Sequence, residues 1–121
     1  MRTDPSALLP LSPPVLHILL ALGQDQLHGY AIMRAIEDKT AGRARILPGT
    51  LYSTINRMLD DGLVEESPDR PDADDDARRR YYRVTAFGRS VVAAESERMA
   101  LLLDLARREH LVDELPHASE G

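Results

Sequence analysis

The chain has no cysteine and no tryptophan, one phenylalanine and four tyrosines in 121 residues. Without thiols there is neither a disulfide framework nor a thiolate metal site, so a reducing, cytoplasmic setting is expected. No run approaches the roughly 18 to 20 apolar residues that span a bilayer. The N-terminus also lacks the basic-then-apolar layout of a signal peptide, so no membrane partner is expected. Catalytic chemistry is equally scarce. The four histidines (17, 28, 110 and 117) have no metal-ligand spacing, there is no nucleophile motif, and no glycine loop resembles a phosphate cradle. Asp72, Asp74, Asp75 and Asp76 lack the central glycine and closing glutamate of a calcium loop. No enzyme activity, metal or cofactor is expected. The length suits one domain with a modest core.

Acid is also missing, but only locally. The net charge is −5, which by itself argues against a nucleic-acid partner. Yet residues 39–59 hold four basic residues (Lys39, Arg43, Arg45, Arg57) and no acid. Residues 78–94 hold five arginines (78, 79, 80, 83, 89) and again no acid, whereas nine carboxylates fall within 60–76. An acidic chain patterned in this way can present a positive face.

Along the chain, residues 1–11 carry Pro5 and Pro10 with little periodicity and read as a flexible N-terminal arm. Ser12-Pro13-Pro14 reads as a helix start, Ser12 as the cap, and a nearly all-apolar helix then runs to Leu22, where Gly23 stops it. His17 within it reads as a core or interface histidine. A second helix is predicted over 28–39, buried through Ile32, Ala35 and Ile36. A third opens at Pro48. At about 100° per residue, Leu51, Ile55, Met58 and Leu59 share one face of it, while Thr50, Ser53 and Arg57 fall opposite, with Asn56 beside them. Tyr52 lies on the boundary. Short side chains let such a helix approach the floor of a major groove. Arg57 and Asn56 bring donors suited to guanine and adenine edges, or to phosphates.

Gly62 closes that helix, and two short strands are predicted, 63–66 and 80–84, joined by a solvated loop with two prolines and five aspartates over 67–77. Thr85 is a suitable cap for a long last helix, 86–110. Val92, Met99 and Ala106 recur every seven residues on it, with Leu102 and Leu103 among them and Leu101 and Leu105 widening the stripe. One small domain can hardly cover so broad an apolar face. Packing against the same helix of a second copy, with Leu16 and Leu20 of the first helix contributing, is the economical solution. Residues 111–121 read as a flexible tail.

Three helices, a two-stranded antiparallel wing and a long terminal helix describe a mainly α protein: a winged helix-turn-helix over 12–85 with a dimerisation helix over 86–110. In detail the chain resembles the PadR family of bacterial transcriptional regulators. The matching segments are Leu27-His-Gly-Tyr-Ala-Ile-Met33, Pro48-Gly-Thr-Leu-Tyr52, Arg57-Met-Leu-Asp-Asp-Gly-Leu-Val64, and Arg79-Arg-Tyr-Tyr-Arg-Val-Thr85 followed by Gly88. The resemblance covers residues 12–110. It implies a homodimer that binds a roughly palindromic operator and represses nearby genes, released in many members by a small molecule. It also implies that Thr50, Tyr52, Ser53 and Arg57 occupy recognition-helix positions, that Tyr30 lies beside the DNA backbone, and that Arg79 and Arg80 lie on the basic wing strand. The long Asp-rich wing tip and the short single C-terminal helix depart from the family pattern.

The expected mechanism is electrostatic first: Arg43, Arg45, Arg78, Arg79 and Arg80 neutralise phosphates and release counterions. Thr50, Ser53, Asn56 and Arg57 then discriminate bases. A competing expectation is a winged-helix module that binds protein and never DNA, favoured by the overall acidity and the Asp-rich loop. For an effector, few aromatics are available to stack on a planar molecule, but apolar Leu and Met side chains could line a cavity between subunits.

Overall fold

The computed structural model describes residues 4–68 and 79–113. Its elements are helix α1 (Pro13–Leu22), a two-residue strand β1 (Leu27–His28), helices α2 (Gly29–Lys39) and α3 (Pro48–Asp60), strands β2 (Val64–Ser67) and β3 (Tyr81–Val84), and helix α4 (Ala86–Arg108).

The helix ends follow from local chemistry. Prolines open α1 and α3, where the missing N–H is no loss. Ser12 occupies the cap position of α1 without a side-chain cap bond, a departure from its expected role. At the other end Gly23 has φ 55°, and Lys39 Nζ reaches back from α2 to donate to the α1 carbonyls of Leu20 (3.3 Å) and Ala21 (2.9 Å). That lysine therefore staples two helices. Helix α3 ends in a Schellman turn: Gly62 has φ 76°, and the Leu63 amide donates to the Met58 carbonyl at 2.9 Å. Leu63, buried beyond the turn, anchors it in the core. Thr85 caps α4 by accepting from the Gly88 amide at 2.8 Å while its hydroxyl donates to the Gly62 carbonyl at 2.6 Å. One side chain thus ties the start of α4 to the end of α3. Gly88 is required there, because a Cβ would overlap the Leu63 carbonyl oxygen.

The core is built from one face of each helix: Ile18, Leu19 and Leu22 of α1, Ile32 and Ile36 of α2, Leu51, Ile55 and Met58 of α3, and Phe87 and Val91 of α4. Val64, Tyr82 and Val84 of the sheet close it. Burying these side chains, at about 1.5–3 kcal/mol each, is the main stabilising contribution.

Three further features differ from the sequence expectation. The sheet has three strands, not two: β1 pairs with the outer edge of β3 (Leu27 with Tyr82, His28 with Tyr81), while β2 takes the inner edge (Val64 with Val84, Ser67 with Tyr81). A two-residue strand has no periodicity to read, and only the tertiary fold brings it to an unpaired edge. Residues 4–11, expected to be a loose arm, instead make a 3-10 turn (Pro5–Leu8) that lies along α4 and sends Leu8, Leu9 and Leu11 against the core. The Leu11 amide donates to Glu95 Oε2 of α4 at 2.8 Å. Helix α4 ends slightly early, at Arg108, in a second Schellman turn with His110 at φ 59°.

Past its first half, α4 leaves the core. Met99, Leu101, Leu102 and Leu105 are exposed, as is Leu20 of α1, while Leu16, Leu103 and Ala106 are half-buried. Val92 packs partly against the core of its own chain, so intramolecular contacts take part of the surface assigned to a partner.

Candidate nucleic-acid interface

Helix α3 turns Leu51, Ile55 and Met58 inward, and the same periodicity turns Thr50, Ser53, Asn56 and Arg57 outward, all four exposed. Ser53 Oγ donates to the Thr50 carbonyl at 3.2 Å. With its proton used inside the helix, that hydroxyl presents lone pairs, so it suits a donor such as the amino group of adenine or cytosine. At the start of the helix, Leu47 supplies no side-chain cap and is itself exposed. The first-turn amides and Thr50 therefore lie at an end that favours anions.

Two grooves flank this face. One is lined by Arg43, Arg45 and Thr50 with His17 and Pro13 of α1. The other lies at the root of the wing, where Tyr30, Tyr52, Asn56, Arg79 and Arg80 meet with His28, Gly29 and Tyr82. The fold thus gathers residues from four separate segments on either side of one short helix. Tyr52 reaches across to α2 so closely that a Cβ on Gly29 would overlap its phenol ring. The absence of a side chain at Gly29 is what lets α3 and the start of α2 share that groove. Tyr30 carries the Arg34 guanidinium 5.9 Å from its ring centroid. Burial pushes the Tyr82 phenol above its ordinary pKa, so it stays protonated and able to donate.

The arginines are not equivalent. Arg45 Nε donates to Glu37 Oε1 at 3.0 Å, Arg83 Nε to Glu65 Oε2 at 2.7 Å, and Arg80 lies 4.0 Å from Glu66. These exposed pairs hold the side chains loosely, since such pairs contribute about 0–1 kcal/mol. They also offset part of the positive field. Arg79 Nη1 lies 3.0 Å from His28 Nε2. Arg78 and the aspartates of 69–76 lie outside the described residues.

Sequence reasoning put His28 at the start of the second helix and in the 27–33 segment, and gave its side chain no role. It caps α2, Nδ1 accepting from the Ala31 amide at 3.3 Å, and meets Tyr81 edge-on at 5.4 Å. The one available signal was its place immediately before the Gly29-Tyr30 helix start. Among the described residues no group of His, Asp or Glu side chains is placed to hold a metal ion. No described helix is long and apolar enough to cross a membrane.

Comparison with known proteins agrees with this geometry. A model of the transcriptional regulator PadR-like family matches residues 18–94. A transcriptional regulator of Mycobacterium tuberculosis, Rv3488, is 37% identical over 92 residues, covering 76% of this chain and 78% of that protein. An uncharacterized 37.1 kDa protein in transposon TN4556 of Streptomyces fradiae is 31% identical over 120 residues; the match covers 99% of this chain but only 30% of that protein's length. Among solved structures, a transcriptional regulator from Clostridium thermocellum superposes with a TM-score of 0.65 at 26% identity, covering 78% of this chain and 87% of that one.

Proposed function

Because the chain belongs to the PadR-like family of transcriptional regulators, we propose that it is a homodimeric repressor that binds a roughly palindromic operator in double-stranded DNA and leaves it when a small molecule or other signal binds. The observation that carries this reading is the pair of cation-bearing grooves on either side of the small, polar outer face of α3. A helix faced with Thr50, Ser53, Asn56 and Arg57 can enter a major groove, and the flanking arginines then fall near the two phosphate backbones that border it. Arg43, Arg79 and Arg80 anchor without reading sequence; Asn56 and Arg57 read it.

The second half of α4 supports the dimer. Met99, Leu101, Leu102 and Leu105 form an exposed apolar stripe that one chain leaves uncovered, with Leu20 also exposed on α1. An effector finds an apolar setting where Leu9 and Pro10 meet Ala94 and Leu101 of α4, with Glu97 and Arg98 at the edge. A signal bound there acts on the segment that joins the two recognition helices.

The test is a titration of the protein into the DNA upstream of its own coding sequence at two salt concentrations. Tight binding that weakens steeply with salt supports the reading. The ion pairs that Arg45, Arg80 and Arg83 make with glutamates favour a second reading, a winged-helix module that binds protein. Salt-insensitive or absent DNA binding supports that alternative.

A further inference from the structure

Among the described residues, the exposed large aliphatic side chains belong to α1, to the second half of α4 or to the residues just past it, with one exception. Leu47 is 72% exposed and immediately precedes Pro48 at the start of α3. Water solvates such a side chain poorly. Leucine also suits the position badly for a second reason. Leu47 is the N-cap of α3: its carbonyl accepts from the Leu51 amide at 2.8 Å. Its backbone, φ −83° and ψ 152°, has the extended form that capping residues adopt. A serine or threonine hydroxyl there would accept from a first-turn amide, whereas leucine offers no acceptor. Two local rules are broken at one residue, and its exposure leaves little to gain within the chain.

The surroundings show what such a side chain can serve. Leu47 lines a groove with Thr50, Arg43 and Arg45, so it adjoins the N-terminal end of the polar face of α3. A Cβ on Gly49, two residues further, would meet nothing within 4 Å, so that end of the helix is open to an approaching surface. A helix lying in the major groove meets base edges with its N-terminal residues. Those edges are polar nitrogen and oxygen atoms with one apolar exception, the C5-methyl group of thymine. We propose that Leu47 is a specificity-determining residue that reads thymine, its side chain packing against that methyl group in bound DNA. This rests on the DNA-binding reading above and adds to it a residue, a base and the group by which the base is recognised. The arginines of the same groove hold the phosphates, and the leucine between them and Thr50 in sequence takes the one apolar feature of the groove floor.

Removing the methyl group from the DNA tests this directly. The DNA upstream of the coding sequence is prepared once with thymine and once with uracil in its place, a base that lacks only the methyl. Affinities of the parent protein, Leu47→Ser and Leu47→Met for both duplexes are measured by fluorescence anisotropy, alongside the thermal midpoint of each protein. The parent is expected to bind the uracil duplex about fourfold more weakly for each methyl contacted, the value of one buried methyl group. Leu47→Ser should bind the thymine duplex about tenfold more weakly than the parent and no longer distinguish the two duplexes. Its thermal midpoint should rise, because serine supplies the missing cap. Leu47→Met keeps an apolar side chain and should keep the preference for thymine. Lower affinity together with higher stability separates a DNA contact from a structural role. Leu47→Ser with undiminished affinity, or with a thymine preference equal to that of the parent, overturns the proposal. A lowered midpoint for Leu47→Ser overturns it too, by showing that the leucine serves the fold. Tight, salt-sensitive binding by the parent with no preference between the duplexes makes Leu47 at most a sugar contact and defeats this inference alone. If the parent binds neither duplex at any salt, the DNA-binding reading fails and this inference fails with it.

Discussion

Helices α3 and α4 are both amphipathic, and both bury one face in the same core, yet they leave opposite surfaces uncovered. The outer face of α3 carries Thr50, Ser53, Asn56 and Arg57, flanked by grooves lined with arginine and tyrosine. The outer face of α4, over its second half, carries Met99, Leu101, Leu102 and Leu105. Small polar side chains beside cations are well solvated alone and gain from a polyanion. Exposed leucines are poorly solvated alone and gain only from apolar cover. The difference teaches that one short chain can place two surfaces of opposite chemistry on separate helices. Thr85, bonded to the end of α3 and to the start of α4, together with the close approach at Gly88, holds the two faces in a set relation.

That contrast can be broken at either helix. The largest effect is expected from Leu102→Asp, which puts a charge on the apolar face. The residue is half-exposed, so the monomer stays folded, but the sedimenting mass should halve. Affinity for the upstream DNA should drop about 100-fold as the two sites lose their linkage. An unchanged mass would remove the interface from α4. Next is Arg57→Ala, expected to weaken binding to the upstream DNA about 10- to 100-fold while changing random duplex much less. Equal losses on both duplexes would make Arg57 a phosphate contact.

A middle-sized effect concerns the joint between α4 and the N-terminal segment. Glu95 is 1% exposed, and its carboxyl is held below its ordinary pKa by the hydrogen bond from Arg98, helped by the Leu11 amide and opposed by burial. A lowered folded pKa means stabilisation that is complete above the unfolded value, about 4.3, and lost as pH falls through the lower folded value. Glu95→Gln should therefore cost about 2 kcal/mol at neutral pH and flatten the acid limb of the stability curve. A parallel acid limb in the variant would show that another carboxylate governs it. The smallest effect is expected at Arg45, whose charge Glu37 already offsets. Arg45→Ala should change stability by less than about 0.5 kcal/mol and leave the salt slope of DNA binding nearly unaltered. Arg43→Ala should flatten it by about 0.9. Equal slopes for the two variants would show that the Glu37 pair opens on DNA.

Much of the fold was legible because its signals are local. Pro48, Gly62 and Thr85 mark helix ends by backbone chemistry, and the 3.6-residue period of α3 separates Leu51, Ile55 and Met58 from Thr50, Ser53 and Arg57 without reference to any partner. What was not legible depends on contacts between distant residues. Residues 4–11 looked loose because two prolines and no periodicity carry no helix signal, while their order comes from Glu95, 84 residues beyond Leu11. Strand β1 was hidden because two residues have no pattern until β3 lies beside them. The role of the His28 side chain was overlooked for the same reason: its neighbours Arg79 and Tyr81 are about fifty positions away along the chain.

By itself, then, the order of residues determined which segments are helical, where they stop, and which face of each is polar or apolar, since these depend on neighbours within a few positions. Only the tertiary structure decided which of those faces meet, which of the described arginines lie against a glutamate, and that His28 lies beside Arg79 and Tyr81. Those outcomes are set by distances between segments far apart in sequence, and hydrogen bonds and charges act through distance.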